Sequence, residues 1–348
     1  MTVLNESGHA SNSSVWMYVV GTDLKTGQQG YVRHDGVFTP CSTADNGPDG
    51  FADLSIPLAG RGATRLVLPN MSGRVYFSLG SKLKFRVLPG AKLQYPAGWT
   101  STDPSYHVLH DWVEFTHNDA GMFVNTTAVD MFALPLSITL TGSRLQTTGT
   151  LRPGGRQAIF TGVASQPGYE KLVVDDLRVL APSHGLDAGL FATDYFESAI
   201  DEVWQKYTTR GLTVTTDRGS YVGRVVGDTL QFTGGVRPIA RPSTRDVLFC
   251  DGTLAAPNDG LTGPVAAIVA AGLNRAVLGL DAAQPVADAS RFYRSTAANH
   301  YAKVMHLNAV DGKAYGFAFD DVAGQASYVQ DNAPTGFTVR LTSFGAAG

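Results

Sequence analysis

A succession of short apolar runs is the feature that most constrains the fold of this 348-residue chain. Between Ser14 and about Thr150, runs rich in β-branched and aromatic residues alternate with turns rich in Gly, Pro, Asn and Asp; VWMYVVG, GRVYFSLG and LSITLTG are examples. Such runs at this spacing are typical of an antiparallel β-sandwich or barrel. No window in this stretch has the periodicity of a helix, so we expect a domain built from strands.

The pattern changes after residue 150, where helical signals appear among the strands. A weak helix is predicted in GGRQAIFTGVASQ, and a stronger one over 194–207, where Asp194 is expected to cap and Phe196, Ile200, Val203 and Tyr207 form an apolar stripe. Further helices are predicted over Pro264–Val277 and over 289–306, the latter capped by Asp288. The segments GLTVTTD, TLQFTGG, KAYGFAFDDV and GFTVRLTSF are expected to be strands.

These patterns predict a mainly β protein with an inserted mixed domain. Residues 1–14 read as a polar, flexible tail. Residues 15–150 and 312–348 are expected to form one β-barrel or sandwich domain, with the C-terminal strands rejoining the first sheet. Residues 151–311 are expected to form a mixed α/β domain.

Composition excludes several classes of function. The net charge of −3 offers no basic excess for phosphates, so we expect no nucleic-acid partner. No apolar run approaches the ~18 residues of a membrane span. Cys41 and Cys250 can form one bridge at most, which is no disulfide framework. The chain has no phosphate-binding glycine loop or zinc-binding His motif, so we expect neither cofactor nor metal.

The segment 111–135, DWVEFTHNDAGMFVNTTAVDMFALP, has polar residues where a buried strand needs none. Alternation places Val113 and Phe115 on one face. The opposite face carries Trp112, Glu114, Thr116 and Asn118. A ring, carboxylate, hydroxyl and amide in succession suit a sugar-binding groove, and a second carboxylate, Asp130, follows Glu114 by 16 residues. Taken alone, the pair is more often an exposed Glu and a salt-bridged Asp than two catalytic carboxylates.

The segments EFTHN and VDMFALPL together resemble the active-site stretch of glycoside hydrolase family 64, the laminaripentaose-producing β-1,3-glucanases, a relative of the thaumatin-like fold. GRVYFSLGSKLKF and NHYAKVMHLNAVDGKAYGFAFDDV are similar to other recurrent segments of that family, in the same order. The resemblance covers most of residues 15–345. It implies a thaumatin-like β-barrel or sandwich domain and a mixed α/β domain that flank a wide groove.

The resemblance also implies roles for individual residues. Glu114 would be the general acid and Asp130 the general base of an inverting hydrolysis. Further positions are expected to contact the glucan: Trp112, Thr116, Asn118, Phe123, Thr127, Asp320 and Asp321. Phe123 stands where the family is expected to have Trp, and Asp320 and Asp321 are equally well explained as a structural pair.

An inverting mechanism sets a distance between the two carboxyl groups of roughly 6.5–9.5 Å, which leaves room for the attacking water. A tight hairpin after Asn118 would leave Asp130 some five residues beyond the partner of Glu114, roughly 15 Å away at the rise of a strand. A wide loop centred near Met122 would instead place the two directly opposite each other, about 5 Å apart. We therefore expect a loop between these extremes, which is not a tight turn, or a bulge after Asn118.

The resulting prediction is a secreted, monomeric hydrolase that cleaves β-1,3-glucan to short oligosaccharides such as laminaripentaose. The secreted location is implied by the family, since MTVLNESGHASNSSV has no signal-peptide pattern. A thaumatin-like protein that binds β-1,3-glucan without cleaving it is the main alternative, although binding alone does not require two carboxylates at a set spacing. A capsid-like structural β protein would explain the strands but not the polar face of 112–118.

Overall fold

The computed structural model describes residues 1–345, in which strands predominate. The strands are β1 (Thr2–Asn5), β2 (Val15–Asp23), β3 (Gln29–Val32), β4 (Phe38–Pro40), β5 (Ile56–Pro57), β6 (Thr64–Arg65), β7 (Met71–Leu79), β8 (Arg86–Leu88), β9 (Lys92–Gln94), β10 (Leu109–Asn118), β11 (Gly121–Thr126), β12 (Met131–Phe132), β13 (Leu136–Thr141), β14 (Leu145–Thr148), β15 (Val173–Val174), β16 (Arg178–Leu180), β17 (Leu212–Thr216), β18 (Gly219–Val226), β19 (Thr229–Phe232), β20 (Ile239–Ala240), β21 (Ala283–Gln284), β22 (Tyr328–Asp331) and β23 (Gly336–Leu341). The α-helices are α1 (Gly155–Ala164), α2 (Pro182–Asp187), α3 (Glu197–Thr209), α4 (Thr244–Phe249), α5 (Thr262–Asn274) and α6 (His300–Asn308).

Two sheets pack face to face and form the sandwich that positions the site. The larger has the order β22-β11-β10-β7-β2-β3-β4, with β5 also paired to β2, and the smaller has the order β14-β13-β23-β1-β6. The inward side chains of both sheets, among them Val75, Val113, Phe115, Ile138 and Val339, form one buried core. Alternation along β10 thus faces Val113 and Phe115 inward, as predicted.

The second layer of the molecule covers part of the opposite face of the larger sheet. It contains the six helices, a sheet with the order β20-β19-β18-β17-β21, and a small sheet with the order β12-β16-β15. Its core is continuous with residues on the outer face of the larger sheet, including Tyr18, Tyr76 and Trp112. The uncovered part of that face is left as a groove.

The mainly β prediction is confirmed, and the C-terminal strands do rejoin the first sheets: β22 pairs with β11, and β23 pairs with β13 and β1. Helices α1, α3 and α5 lie close to their predicted ranges. The exact domain boundaries and the thaumatin-like affiliation stay predictions, and residues 346–348 of the predicted C-terminal part lie outside the described residues.

Three local predictions are wrong. The segment 1–14 is no free tail, because β1 pairs in parallel with β23 and buries Val3 in the sandwich core. The segment 313–322 is irregular chain followed by turns instead of a strand. The predicted helix 289–306 is divided: Asp288 caps one short 3-10 turn, and α6 starts only at His300, where Asn299 accepts a hydrogen bond from the amide of Ala302.

The structure also tests the expectations about the two cysteines and about membrane-spanning helices. Cys41 and Cys250 are both free and buried, so they form no bridge. Among residues 1–345, no helix has the length and apolar character needed to cross a membrane.

Candidate active site

The hairpin of β10 and β11 carries the first candidate carboxylate. Glu114 lies in register with Asn125 on β11 and with Arg74 on β7, the strand on its other side. Since directly paired residues project to the same face of a sheet, these three side chains meet on the outer face, away from the sandwich core. Thr116 likewise lies between Ser72 and Phe123.

The turn after Asn118 is tight, so the predicted non-tight loop or bulge is wrong. Asn118 pairs with Gly121, and pairing continues without interruption to Val113 opposite Thr126. Only Asp119 and Ala120 form the turn, where Asn118 Oδ1 accepts a hydrogen bond from the amide of Ala120. Gly121 has a φ of 129°, a conformation that side chains disfavour.

Asp130 nevertheless reaches Glu114, because the chain leaves the sheet after Thr126. Thr127 Oγ1 accepts a hydrogen bond from the amide of Val129 (3.3 Å), which bends the segment. Ala128 is fixed on both sides, since its amide donates to the carbonyl of Tyr315 (2.9 Å) and its carbonyl accepts from the Tyr301 hydroxyl (2.6 Å). The expectation of a non-tight loop or a bulge assumed an extended chain through Asp130, and the bend makes such a loop unnecessary.

A second anchor lies behind the bend. Asp111, on β10 three residues before Glu114, is buried and accepts hydrogen bonds from the amides of Ala133 (2.8 Å) and Leu134 (3.0 Å). Burial raises the pKa of Asp111 to about 7, against the opposing effect of these amide hydrogen bonds. Asp111 thus ties the strand of Glu114 to the segment of Asp130.

Arg74 lies between the two carboxylates. Its Nε and Nη2 are both 3.1 Å from Glu114 Oε1, and Nη2 is 3.8 Å from Asp130 Oδ2. Burial acts to lower the pKa of Arg74, but neighbouring Tyr76, Glu114 and Asp130 outweigh it and raise the pKa. Arg74 is therefore a permanent cation in contact with both acids.

The shared nitrogen limits the separation of the acids. Because Glu114 Oε1 and Asp130 Oδ2 lie 3.1 Å and 3.8 Å from Nη2, they are no farther apart than the sum of these distances, about 7 Å. A tight hairpin and a close carboxylate pair are thus compatible in this fold.

Aromatic side chains pack against the guanidinium of Arg74. The guanidinium carbon lies 4.8 Å from the ring centre of Trp112 and 5.9 Å from that of Tyr95, and Nη1 donates to the Tyr76 hydroxyl (3.1 Å). Trp112 is only 1% exposed. Its predicted contact with a sugar is therefore wrong, and its role is to support the cation.

His184 holds the other side of Asp130. Its Nε2 lies 2.8 Å from Asp130 Oδ1. The imidazole stacks on Trp99 at 4.3 Å and meets the edge of Phe249, which fixes its orientation. The backbone of Asp130 is also fixed, since its carbonyl accepts from the amide of Ala181, the residue before α2.

The groove continues from Glu114 over the floor of the larger sheet and has a volume of about 530 Å³. Thr116, Phe123 and Asn125 line its floor, and Tyr95 and Tyr328 stand at its sides. Asn125 Oδ1 is buried without a hydrogen-bond partner, so the groove contains an unused acceptor beside Glu114. Aromatic side walls with polar groups between them suit a ligand that has both apolar faces and hydroxyl edges.

The remaining predicted residues differ in where they lie relative to this groove. Thr116 lines it, with its hydroxyl 2.8 Å from Ser72 Oγ. Thr127 is buried and holds the bend described above. Asn118 lies at the end of the hairpin, where its side chain closes the turn.

Asp320 and Asp321 do not share one environment. Asp320 is completely buried, with Arg275 Nη2 at 3.0 Å and His306 Nε2 at 3.0 Å, so its predicted place in the groove is wrong. Burial acts to raise the pKa of Asp320, but His306 and Arg275 outweigh it and lower the pKa. Asp321 is exposed and lines a separate pocket beside Pro257 and Ile268.

Reasoning from the sequence missed Arg74, Asn125 and His184. Arg74 alternates with Tyr76 along an apolar strand, a signal that marks one polar position but not its partner. His184 lies in a six-residue helix 54 positions from Asp130, and nothing local connects the two. Within residues 1–345, no group of three or more His, Cys, Asp or Glu side chains is arranged to hold a metal ion.

Comparison with known proteins places this fold and groove in one family. The family model described as "Beta-1,3-glucanase", for glycoside hydrolases of family 64, matches residues 1–341. The chain belongs to glycoside hydrolase family 64. Two curated relatives, glucan endo-1,3-β-glucosidases of Arthrobacter sp. (strain YCWD3) and Cellulosimicrobium cellulans, are each 34% identical over 99% of this chain. The chain spans 65% of the length of either relative.

Solved structures of this family superpose over nearly the whole chain. The crystal structure of a laminaripentaose-producing β-1,3-glucanase in complex with laminaritetraose is 37% identical with a TM-score of 0.92, covering 99% of this chain and 98% of that one. A β-1,3-glucanase domain from Clostridium beijerinckii is 28% identical with a TM-score of 0.88, covering 98% of both chains. The family 64 resemblance noted in the sequence is thus confirmed.

Proposed function

We propose that this chain hydrolyses β-1,3-glucan of the laminarin or curdlan type to short laminari-oligosaccharides such as laminaripentaose, with inversion at the anomeric carbon. The observation that carries the proposal is a pair of carboxylates that contact one cation, Arg74: Glu114, which lines the groove, and Asp130 on the other side of Arg74. The names of the family relatives support the substrate class.

Glu114 acts as the general acid. Both nitrogen contacts from Arg74 go to Oε1, so Oε2 is the oxygen that is free to carry a proton. The side chain is 34% exposed and lines the groove, where it meets the glycosidic oxygen of a bound glucan. Proton transfer to that oxygen makes the departing sugar a better leaving group.

Asp130 acts as the general base. His184 occupies Oδ1, whereas Oδ2 has only the long contact to Arg74, so Oδ2 accepts the proton of the attacking water. The water attacks the anomeric carbon from the side opposite the leaving oxygen, which inverts the configuration. The upper limit of about 7 Å between Glu114 Oε1 and Asp130 Oδ2 overlaps the lower end of the roughly 6.5–9.5 Å range that an inverting mechanism needs for that single water.

The groove provides the contacts for the polymer. Phe123, Tyr95 and Tyr328 offer apolar rings to sugar faces, while Thr116 and Asn125 offer hydrogen-bonding groups to the hydroxyls. A secreted, monomeric enzyme with this groove is the form in which we expect the activity.

Reducing sugar released from laminarin and curdlan by the wild type and by Glu114→Gln tests the proposal. We expect release by the wild type and a loss of about 10³-fold in kcat in the variant, since its amide cannot donate an acidic proton. Wild-type protein that binds laminarin without releasing sugar would contradict hydrolysis and support the alternative, a glucan-binding protein.

A further inference from the structure

We propose that Arg74 is a positioning residue of the hydrolysis: its guanidinium holds Glu114 by one oxygen, faces Asp130 with the same nitrogen, and so sets the distance and the separate roles of the two acids. The inference rests on the proposed function and extends it to a residue that touches neither the reacting bond nor the water.

The contacts of Arg74 use every nitrogen of its side chain. Nε and Nη2 contact Glu114 Oε1, Nη1 donates to Tyr76, and Nη2 also faces Asp130 Oδ2. A guanidinium is planar and rigid, so its three nitrogens fix the directions of all three partners at once. An ammonium group cannot reproduce this arrangement.

The packing around Arg74 holds its side chain in one position. Its guanidinium packs against the indole of Trp112. The side chain of Tyr76, whose hydroxyl accepts the hydrogen bond from Nη1, is fully buried. Gly73 precedes it on β7, where a Cβ would come within 2.1 Å of the carbonyl of Val20, so the neighbouring strands approach closely at this point. The guanidinium of Arg74 is therefore held rigidly against the sheet and is not a mobile surface group.

Charge balance gives the arrangement its chemical consequence. One Arg74 cation compensates one carboxylate, so the cluster is neutral when a single proton resides on the acid pair. The two carboxylates have different partners, since both close nitrogen contacts of Arg74 go to Glu114 Oε1, whereas His184 contacts Asp130 Oδ1. An acid and a base in one groove need this difference.

The tyrosines that lie near Arg74 and Glu114 stay neutral near neutral pH. Tyr76 and Tyr95 lie against it, and Tyr315 lies near Glu114; burial raises the pKa of all three. His184 is the remaining titratable neighbour, and it contacts Asp130 rather than Arg74.

The test measures hydrolysis of laminarin by the wild type and by Arg74→Gln, Arg74→Lys and Tyr76→Phe. The matched control is Arg33→Gln, which removes an exposed arginine far from Glu114 in sequence. Arg74→Gln is expected to lose about 100-fold in kcat with little change in KM, because misplacement of reacting groups lowers the rate and not the binding. Its pH–rate profile should move to higher pH, since loss of a positive charge favours protonation of nearby carboxylates.

The graded variants keep the test valid if Arg74→Gln fails to fold. Arg74→Lys retains the charge and should lose about tenfold in kcat, while Tyr76→Phe removes a single hydrogen bond and should lose a few fold. Added guanidinium ion should restore part of the kcat of Arg74→Ala.

The outcomes separate this inference from the function on which it rests. A wild type that releases no sugar overturns both. If the wild type is active but the folded Arg74 variants keep the wild-type kcat and pH profile, or show only a raised KM, the positioning role alone is overturned. Arg74 would then be a structural residue or a simple substrate contact.

Discussion

The molecule contains two clusters of the same composition in different surroundings. Each has one Asp, one Arg and one His. The members are Arg74, Asp130 and His184 in the first, here named the open cluster, and Arg275, Asp320 and His306 in the second, here named the closed cluster. Asp320 is 0% exposed with Arg275 at 3.0 Å, whereas Asp130 is 21% exposed with Arg74 at 3.8 Å.

The difference lies in how fully each carboxylate is satisfied. Asp320 Oδ1 receives Arg275, and Oδ2 receives His306 and the amide of Gly316 (2.9 Å). In the open cluster the cation is shared with a second carboxylate, Glu114, and Asp130 Oδ2 keeps spare capacity. A saturated, buried carboxylate contributes to the fold, while an incompletely satisfied one at a groove is available for proton transfer.

The same substitution in both clusters gives the largest expected contrast. In the open cluster, Asp130→Asn should lower kcat on laminarin by about 10³-fold, because an amide cannot take the proton of water. Its melting temperature should stay close to the wild-type value, since Asp130 is partly exposed and its ion pair is long. A variant that unfolds while the remaining folded molecules keep full kcat would contradict the assignment.

In the closed cluster, Asp320→Asn should lower the free energy of unfolding by roughly 3–5 kcal/mol, because it leaves Arg275 as a buried charge without its partner. Urea denaturation measures this loss. At a temperature where the variant is folded, kcat should remain close to the wild-type value. A stable variant with abolished activity would instead place Asp320 in the catalytic machinery.

The histidine of the open cluster has a smaller expected effect. His184→Phe keeps a ring against Trp99 and removes the hydrogen bond to Asp130, which should lower kcat by about tenfold. His34→Phe, at an exposed turn, serves as the control for replacing an imidazole with a phenyl ring. Unchanged kcat in His184→Phe would show that Asp130 is held sufficiently by its backbone.

The histidine of the closed cluster should affect stability in a pH-dependent way. Burial acts to lower the pKa of His306, but Asp320 outweighs it and raises the pKa above 6.5. The stabilisation is therefore complete below the pKa of the unfolded histidine and is lost as the pH rises through the raised value in the folded protein.

Melting temperatures of the wild type and His306→Gln at roughly pH 6 and pH 9 measure this effect. The advantage of the wild type should be largest at the lower pH and should shrink at the higher one. An advantage that grows with pH would mean that neutral His306 is the favoured form.

The sequence predicts the alternation of β10 well, because a period of two depends only on the strand itself. Glu114 and Asp130 were identified through the resemblance to family 64. Their shared contact with Arg74 could not be predicted from the sequence, because it depends on a bend fixed by Tyr301 and Tyr315, which lie more than a hundred residues away in the chain.

The errors share this physical cause. The pair at 320 and 321 looked like one site, but Arg275 on the turn after α5 seals Asp320 inside the protein. Trp112 has the right alternation for the groove, but the second layer covers it. Strand patterns predict which face a side chain takes, whereas packing of distant segments decides whether that face is open.

The anomeric form of the first product released from laminarin tests the central claim most directly. If Glu114 protonates the leaving oxygen while Asp130 directs one water to the opposite side, proton NMR in the first minutes of reaction must show the α-anomer. Initial β-anomer would mean that a carboxylate attacks the sugar directly, and it would contradict the roles assigned to the pair.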